Sequence, residues 1–155
     1  MPSASSSKSR DTPMGQVLSF MRLLWAVTQG VESTSKRMLA RIGVTGPQRM
    51  VLRIVGNFGP IYPGDLAEIL HVDPSSLTGV LARLEKGGFL KRRRDPRDGR
   101  RALLTLSAAG RRMNAQRAGT VEAAVQRALA QTTKTRLQAT EALLKALADE
   151  LTRTA

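Results

Sequence analysis

VDPSSLTGVLARLEKGGFLKRRRDPRDGRRALLT, residues 72–105, reads as one short amphipathic helix followed by one strongly basic hairpin. Asp73 and Pro74 form a helix start: the carboxylate accepts from a free N–H of the first turn, and proline fits where its missing N–H costs nothing. Leu77, Val80, Leu81 and Leu84 recur at helical spacing and predict an apolar stripe on a helix that runs to about Lys86. Gly88 stands where a left-handed residue is wanted after such a helix, and Phe89 is placed to fold back on Leu84. Ser75, Ser76, Thr78, Gly79 and Arg83 fall outside the stripe and leave a small, polar face free.

Residues 89–94 and 101–106 are two short runs separated by DPRDGR, with proline early and glycine late, which predicts a hairpin turn. In the second run Ala102, Leu104 and Leu106 alternate with Arg101, Leu103 and Thr105, as a half-buried strand requires. Nine of the 25 basic residues fall between Arg83 and Arg101, so the charge excess is concentrated on this projection. A solvated surface run is the ordinary reading of a Lys/Arg cluster. Beside a small-polar helix face the cluster points instead to double-stranded DNA: the helix suits a major groove, and Arg92, Arg94, Arg97 and Arg100 suit phosphates or a narrow minor groove, with Asp98 bracing the turn.

The whole chain agrees. At 155 residues it is long enough for one domain with a real core, and a formal charge of +13 calls for a polyanionic partner. Without cysteine, thiolate metal sites and disulfides are excluded, and the single histidine, His71, makes a histidine metal site improbable. No cofactor is expected. Asp95 and Asp98 flank a proline turn among arginines that neutralise them, and no nucleophile, base or phosphate loop has usable spacing, so an enzyme is not expected. No apolar run is long enough to span a membrane and residues 1–13 lack a signal-peptide core, which leads to the expectation of a cytoplasmic protein without a membrane partner.

In chain order, residues 1–13 are expected to be a disordered tail, and residues 14–43 one long helix with a broad apolar face. Thr45 to Gln48 has capping-box spacing and opens a second helix that stops within residues 57–60. Ile61 and Tyr62 suit a short strand against the hairpin, and residues 63–70 a third helix. Only three residues separate that helix from the one after Pro74, which makes the pair a helix-turn-helix. Ser107 is a candidate N-cap for one long helix through Leu129, and Thr132 or Thr133 opens a last one. The fold class is therefore mainly α with a small β-hairpin wing: a winged helix-turn-helix over residues 44–107 plus terminal helices at 14–43 and 108–155.

Residues 44–113 resemble the core of the MarR family of bacterial transcription regulators. The resemblance rests on VTGPQ at the second helix, on Leu66 and Ala67, on Thr78, Leu84, Glu85 and Gly88, and on Asp98, Gly99 and Arg100 at the wing. Gly99 departs from the family pattern, which usually has arginine there, and this shifts the wing-tip contact to Arg97 or Arg100. The resemblance implies a ligand-responsive repressor that binds a palindromic operator as a homodimer, with Val17, Leu18, Leu137, Leu144, Leu147 and Leu151 in the dimer interface. It also implies a cleft for a small aromatic or anionic effector near the first, second and fifth helices, lined by Met21, Trp25, Met50, Ile54 and Met113 with Arg22, Arg49 or His71 as polar partner. A lone Trp and scattered Met at helical spacing are more often core, and His71 more often a turn residue. The rival from another class is a sequence-tolerant, nucleoid-type DNA-binding protein without an effector, which the charge alone would support.

Overall fold

The computed structural model describes residues 15–154. The expected tail at 1–13 lies outside the described residues. Seven helices and one hairpin follow in the order α1 (Gln16–Ile42), α2 (Gly46–Phe58), α3 (Pro63–Leu70), α4 (Pro74–Lys86), β1 (Leu90–Arg94), β2 (Ala102–Leu106), α5 (Ala108–Ala115), α6 (Val121–Leu129) and α7 (Lys134–Thr154). Gly43, at φ 81°, ends α1 in the left-handed conformation that glycine adopts without a side-chain clash. Both halves of the Thr45–Gln48 capping box form, at 3.3 and 2.9 Å, and Ser35 Oγ accepts from Gly46 N–H at 2.7 Å, which pins the start of α2 to α1.

The winged unit is built around α4. Leu77, Leu81 and Leu84 of its stripe are buried with Leu52, Leu66 and Leu104 from α2, α3 and β2. Each such leucine removed from water contributes about 1.5–3 kcal/mol, and the faces so used fix how α2, α3 and α4 cross. The end of α4 is a Schellman stop: Gly88 has φ 77°, its N–H donates to Glu85 O at 3.0 Å, and Phe89 N–H donates to Leu84 O at 2.9 Å. β1 and β2 pair antiparallel from Leu90 opposite Leu106 to Arg94 opposite Ala102. Ile61 exchanges two backbone hydrogen bonds with Leu104, at 3.2 and 2.8 Å, so the strand expected there is a single bridge.

Ser107 caps α5 through Gly110 N–H at 2.9 Å. The long helix expected beyond it is broken, however, and residues 116–120 form a linker between α5 and α6. Gly119 reverses the chain at φ 67°, and the Thr120 hydroxyl accepts from Ala123 N–H at 3.2 Å to start α6 afresh. Thr120 is itself buried, and α1 reaches the same linker through Arg41, whose Nη2 donates to Ala118 O at 2.6 Å.

Candidate nucleic-acid interface

Ser75, Ser76, Thr78, Gly79 and Arg83 are all exposed on one side of α4, opposite its buried leucines. Asp73 Oδ1 accepts from Ser75 N–H at 2.8 Å, and hydrogen bonding from Ser75 holds the Asp73 carboxyl below its ordinary range. Ser76 N–H donates to Asp73 O at 2.9 Å, so the first turn of α4 is closed on its own cap residue and leaves the two serines exposed at its end. Arg83 lies two turns further along, so the exposed face runs from small hydroxyls to a guanidinium.

The wing is positioned by contacts that strand periodicity does not encode. Tyr62 Oη donates to Asp95 Oδ2, Arg97 N–H donates to Asp95 Oδ1 at 2.8 Å, and the Arg101 guanidinium carbon lies 3.5 Å from the centre of the Tyr62 ring. Asp95 is only 5% exposed, and the Tyr62 hydrogen bond, then that of Arg97, hold its carboxyl below the ordinary range; the same bond raises Tyr62. Asp95 is therefore the anchor of the hairpin base. The sequence signal was present, a lone tyrosine beside a strand and an aspartate before proline, but the two stand 33 positions apart. Asp98 acts at the tip, where its carboxylate accepts from Arg100 N–H at 3.1 Å; its distance to Arg100 Nε is 3.9 Å, and the Arg100 side chain is 98% exposed. Arg92 is tied back to α4 by Glu85 Oε1, 2.8 Å from Nη2 and 3.1 Å from Nε. Arg94, Arg97 and Arg100 remain exposed along one edge.

The residues expected to line an effector cleft are placed differently from one another. Met21, Trp25 and Met50 are exposed on α1 and α2, Arg22 is exposed beside them, and Ile54 and Met113 are half-buried against the core. His71 is the left-handed cap of α3, at φ 52°, with its N–H donating to Glu68 O at 3.1 Å. Arg49, expected as an anion partner, is corrected: it is 1% exposed and its nitrogens are used inside the chain. Nε donates to Glu122 Oε1 at 2.6 Å, Nη1 to Met113 O and Nη2 to Gln116 O. Burial alone would raise the Glu122 carboxyl, but the Arg49 hydrogen bond and the charges of Arg49 and Arg53 outweigh it and leave it lowered.

Val17, Leu18 and Trp25 on α1, and Leu143, Leu144 and Leu151 on α7, are large apolar side chains left open to solvent, while Leu137 and Leu147 are half-buried. Among the described residues no helix is long and apolar enough to cross a membrane. Exposed apolar surface on this scale marks an interaction face.

Comparison with known proteins agrees with this architecture. Residues 44–102 match the family model described as MarR family. The chain is 30% identical to the multiple antibiotic resistance protein MarR of Salmonella typhimurium over 103 residues, 66% of this chain and 72% of that protein. It spans only 52% and 60% of two other curated relatives, both regulators of Bacillus subtilis. Among solved structures it is similar to a mutant MarR from E. coli complexed with operator DNA (TM-score 0.67, 27% identity, 84% of this chain and 94% of that one). It is also similar to CouR from Rhodococcus jostii bound to p-coumaroyl-CoA (TM-score 0.70, 26% identity, 86% of this chain and 95% of that one). The helix order, the two-stranded wing and the matched sequence lead to one conclusion: the chain belongs to the MarR family.

Proposed function

We propose that this protein is a sequence-specific transcription regulator of the cytoplasm that binds a palindromic operator in double-stranded DNA as a homodimer, and that it is a repressor released by a small aromatic or anionic effector. One observation carries the reading: the small-polar face of α4 and the arginine edge of the wing are exposed together, and Glu85–Arg92 ties the helix that carries one to the strand that carries the other. Ser75, Ser76, Thr78, Gly79 and Arg83 read base edges in the major groove, while Arg94, Arg97 and Arg100 hold phosphates and the flanking minor groove. The relative solved with operator DNA supports this assignment. The open apolar faces of α1 and α7 support pairing with a second copy, which supplies the second half-site. CouR, bound to an acyl-CoA, supports the effector, with Met21, Arg22, Trp25, Met50, Ile54 and Met113 as its surroundings.

The test is fluorescence anisotropy at fixed salt on the DNA flanking the gene and on random duplex of equal length. A regulator should prefer its operator by about a thousandfold or more. Equal affinity on every duplex would reinstate the sequence-tolerant, nucleoid-type reading.

A further inference from the structure

α1 and α6 face each other across a cleft of about 490 Å³ that the effector surroundings above do not include. On α1, Thr34, Arg37 and Arg41 follow one another at i, i+3 and i+7; on the other wall Thr120, Ala124 and Arg127 do so at i, i+4 and i+7. Both stripes therefore present a threonine and arginine on a single helix face. No acidic side chain lines the cleft, and among the described residues no ion pair includes Arg37, Arg41 or Arg127.

Two of the three guanidiniums are held in place without being neutralised. Arg37 Nη1 and Nη2 donate to Ser33 Oγ at 2.8 Å and Thr34 Oγ1 at 2.9 Å. Arg41 lies over Gly119 so closely that a Cβ there would be 1.6 Å from Nη2, and it donates to Ala118 O. The Arg127 side chain has no hydrogen-bond or ion-pair partner among the described residues. Like charges at i, i+4 on a helix repel, so Arg37 and Arg41 carry a cost that an anion between them removes. A guanidinium fork matches an oxyanion in two-point geometry. The volume suits a small organic molecule better than a bare ion, since ligand pockets run from about 300 to 1,000 Å³.

We propose that the α1–α6 cleft binds a small organic anion, its carboxylate or phosphate held by Arg37, Arg41 and Arg127. The proposal is of a second site, beyond the effector surroundings above, and rests on the effector-responsive reading only for the link to DNA. That link is Arg41: an anion that draws it into the cleft competes with Ala118 O and loosens the linker that Arg49 joins to α2.

Isothermal titration calorimetry of the full chain with benzoate, phenyl phosphate and inorganic phosphate tests the site and separates the two oxyanions. One of the organic anions should bind, the Arg37→Gln/Arg127→Gln variant should weaken it by about tenfold or more, and Arg136→Gln, at an exposed arginine outside the cleft, should leave it unchanged. Both arginines are exposed, so the variant should fold, with an unchanged melting temperature as the control. Unchanged affinity in the double variant, no binding by any of the three, or inorganic phosphate binding as tightly as the organic anions would each overturn the proposal. Dissociation of the double variant in sedimentation would overturn it too, because the arginines would then be answering carboxylates of a second copy. Anion binding lost in the double variant without any change in operator affinity would uphold the site and remove the effector reading alone.

Discussion

Arg49 Nε lies 2.6 Å from Glu122 Oε1, joining α2 of the winged unit to α6 across 73 positions of sequence. The same guanidinium bonds the carbonyls of Met113 and Gln116, so a single buried side chain closes the end of α5, the linker and the start of α6. Arg49→Ala strands these groups and should cost about 2–4 kcal/mol in urea unfolding. Glu122 is 37% exposed, so Glu122→Gln should cost less, about 1–2 kcal/mol. A double-mutant cycle should show the two losses to be strongly non-additive; simple additivity would mean that the carbonyls, not Glu122, carry the pin.

Acid should dissolve this pin. The Glu122 carboxyl is lowered in the folded chain, so its contribution is fully present at neutral pH and is lost as pH falls below the ordinary carboxylate value of about 4 and through the folded value. Asp95, also lowered, adds loss in the same window through Tyr62. Thermal melts from pH 7 to pH 3 should fall less steeply in Glu122→Gln than in the parent, and parallel curves would contradict the assignment.

At the recognition helix, Ser75→Ala, Ser76→Ala and Arg83→Ala remove exposed groups and should leave melting nearly unchanged. Each should reorder affinity among operator variants, at about 1–3 kcal/mol per lost base contact. Uniform weakening on all sequences would reduce these residues to backbone contacts.

On the wing, Arg97→Ala or Arg100→Ala should weaken binding on every sequence and lower the salt-dependence slope by about one unit per phosphate contact. Tyr62→Phe keeps every arginine but loses the hydrogen bond to Asp95. It should therefore weaken binding with little change in slope, and a full unit of lost slope would show that the loosened wing has lost a whole arginine–phosphate contact.

For assembly, Leu144 is 46% exposed in the single chain, so Leu144→Glu has little to disrupt in the protomer. In a dimer it buries an unpaired charge. Sedimentation at micromolar concentration should find folded monomers with lost operator affinity, and a stable dimer would remove Leu144 from the interface.

Most of the winged unit was legible because its information is local. Asp73, the Leu77–Leu84 stripe, Gly88 and the Thr45–Gln48 box lie within single turns of what they organise. The break at Gly119 was not read, since the Ala- and Arg-rich residues around it all favour a helix and only the Gly-Thr pair signals a stop and a restart. The Tyr62–Asp95 anchor and the Arg49 pin join residues 33 and 73 positions apart, and no periodicity reports a contact of that range. Arg49 was misassigned for a related reason: an arginine on an amphipathic helix is usually at the surface, and its burial depends on acceptors from a distant segment.

The junction at Ser107 works as a gear. Its hydroxyl donates to Gly88 O at 2.5 Å and its N–H donates to Phe89 O at 3.0 Å, while Gly110 comes so near that a Cβ would stand 2.1 Å from that same carbonyl. No slack separates the first turn of α5 from the foot of α4. The 13 residues of α4 make an arm of about 20 Å, so a tilt of about 10° at its foot sweeps the serine end through about 3 Å, the length of a whole hydrogen bond. A slight roll of α5 thus becomes a full change of reach at Ser75 and Ser76.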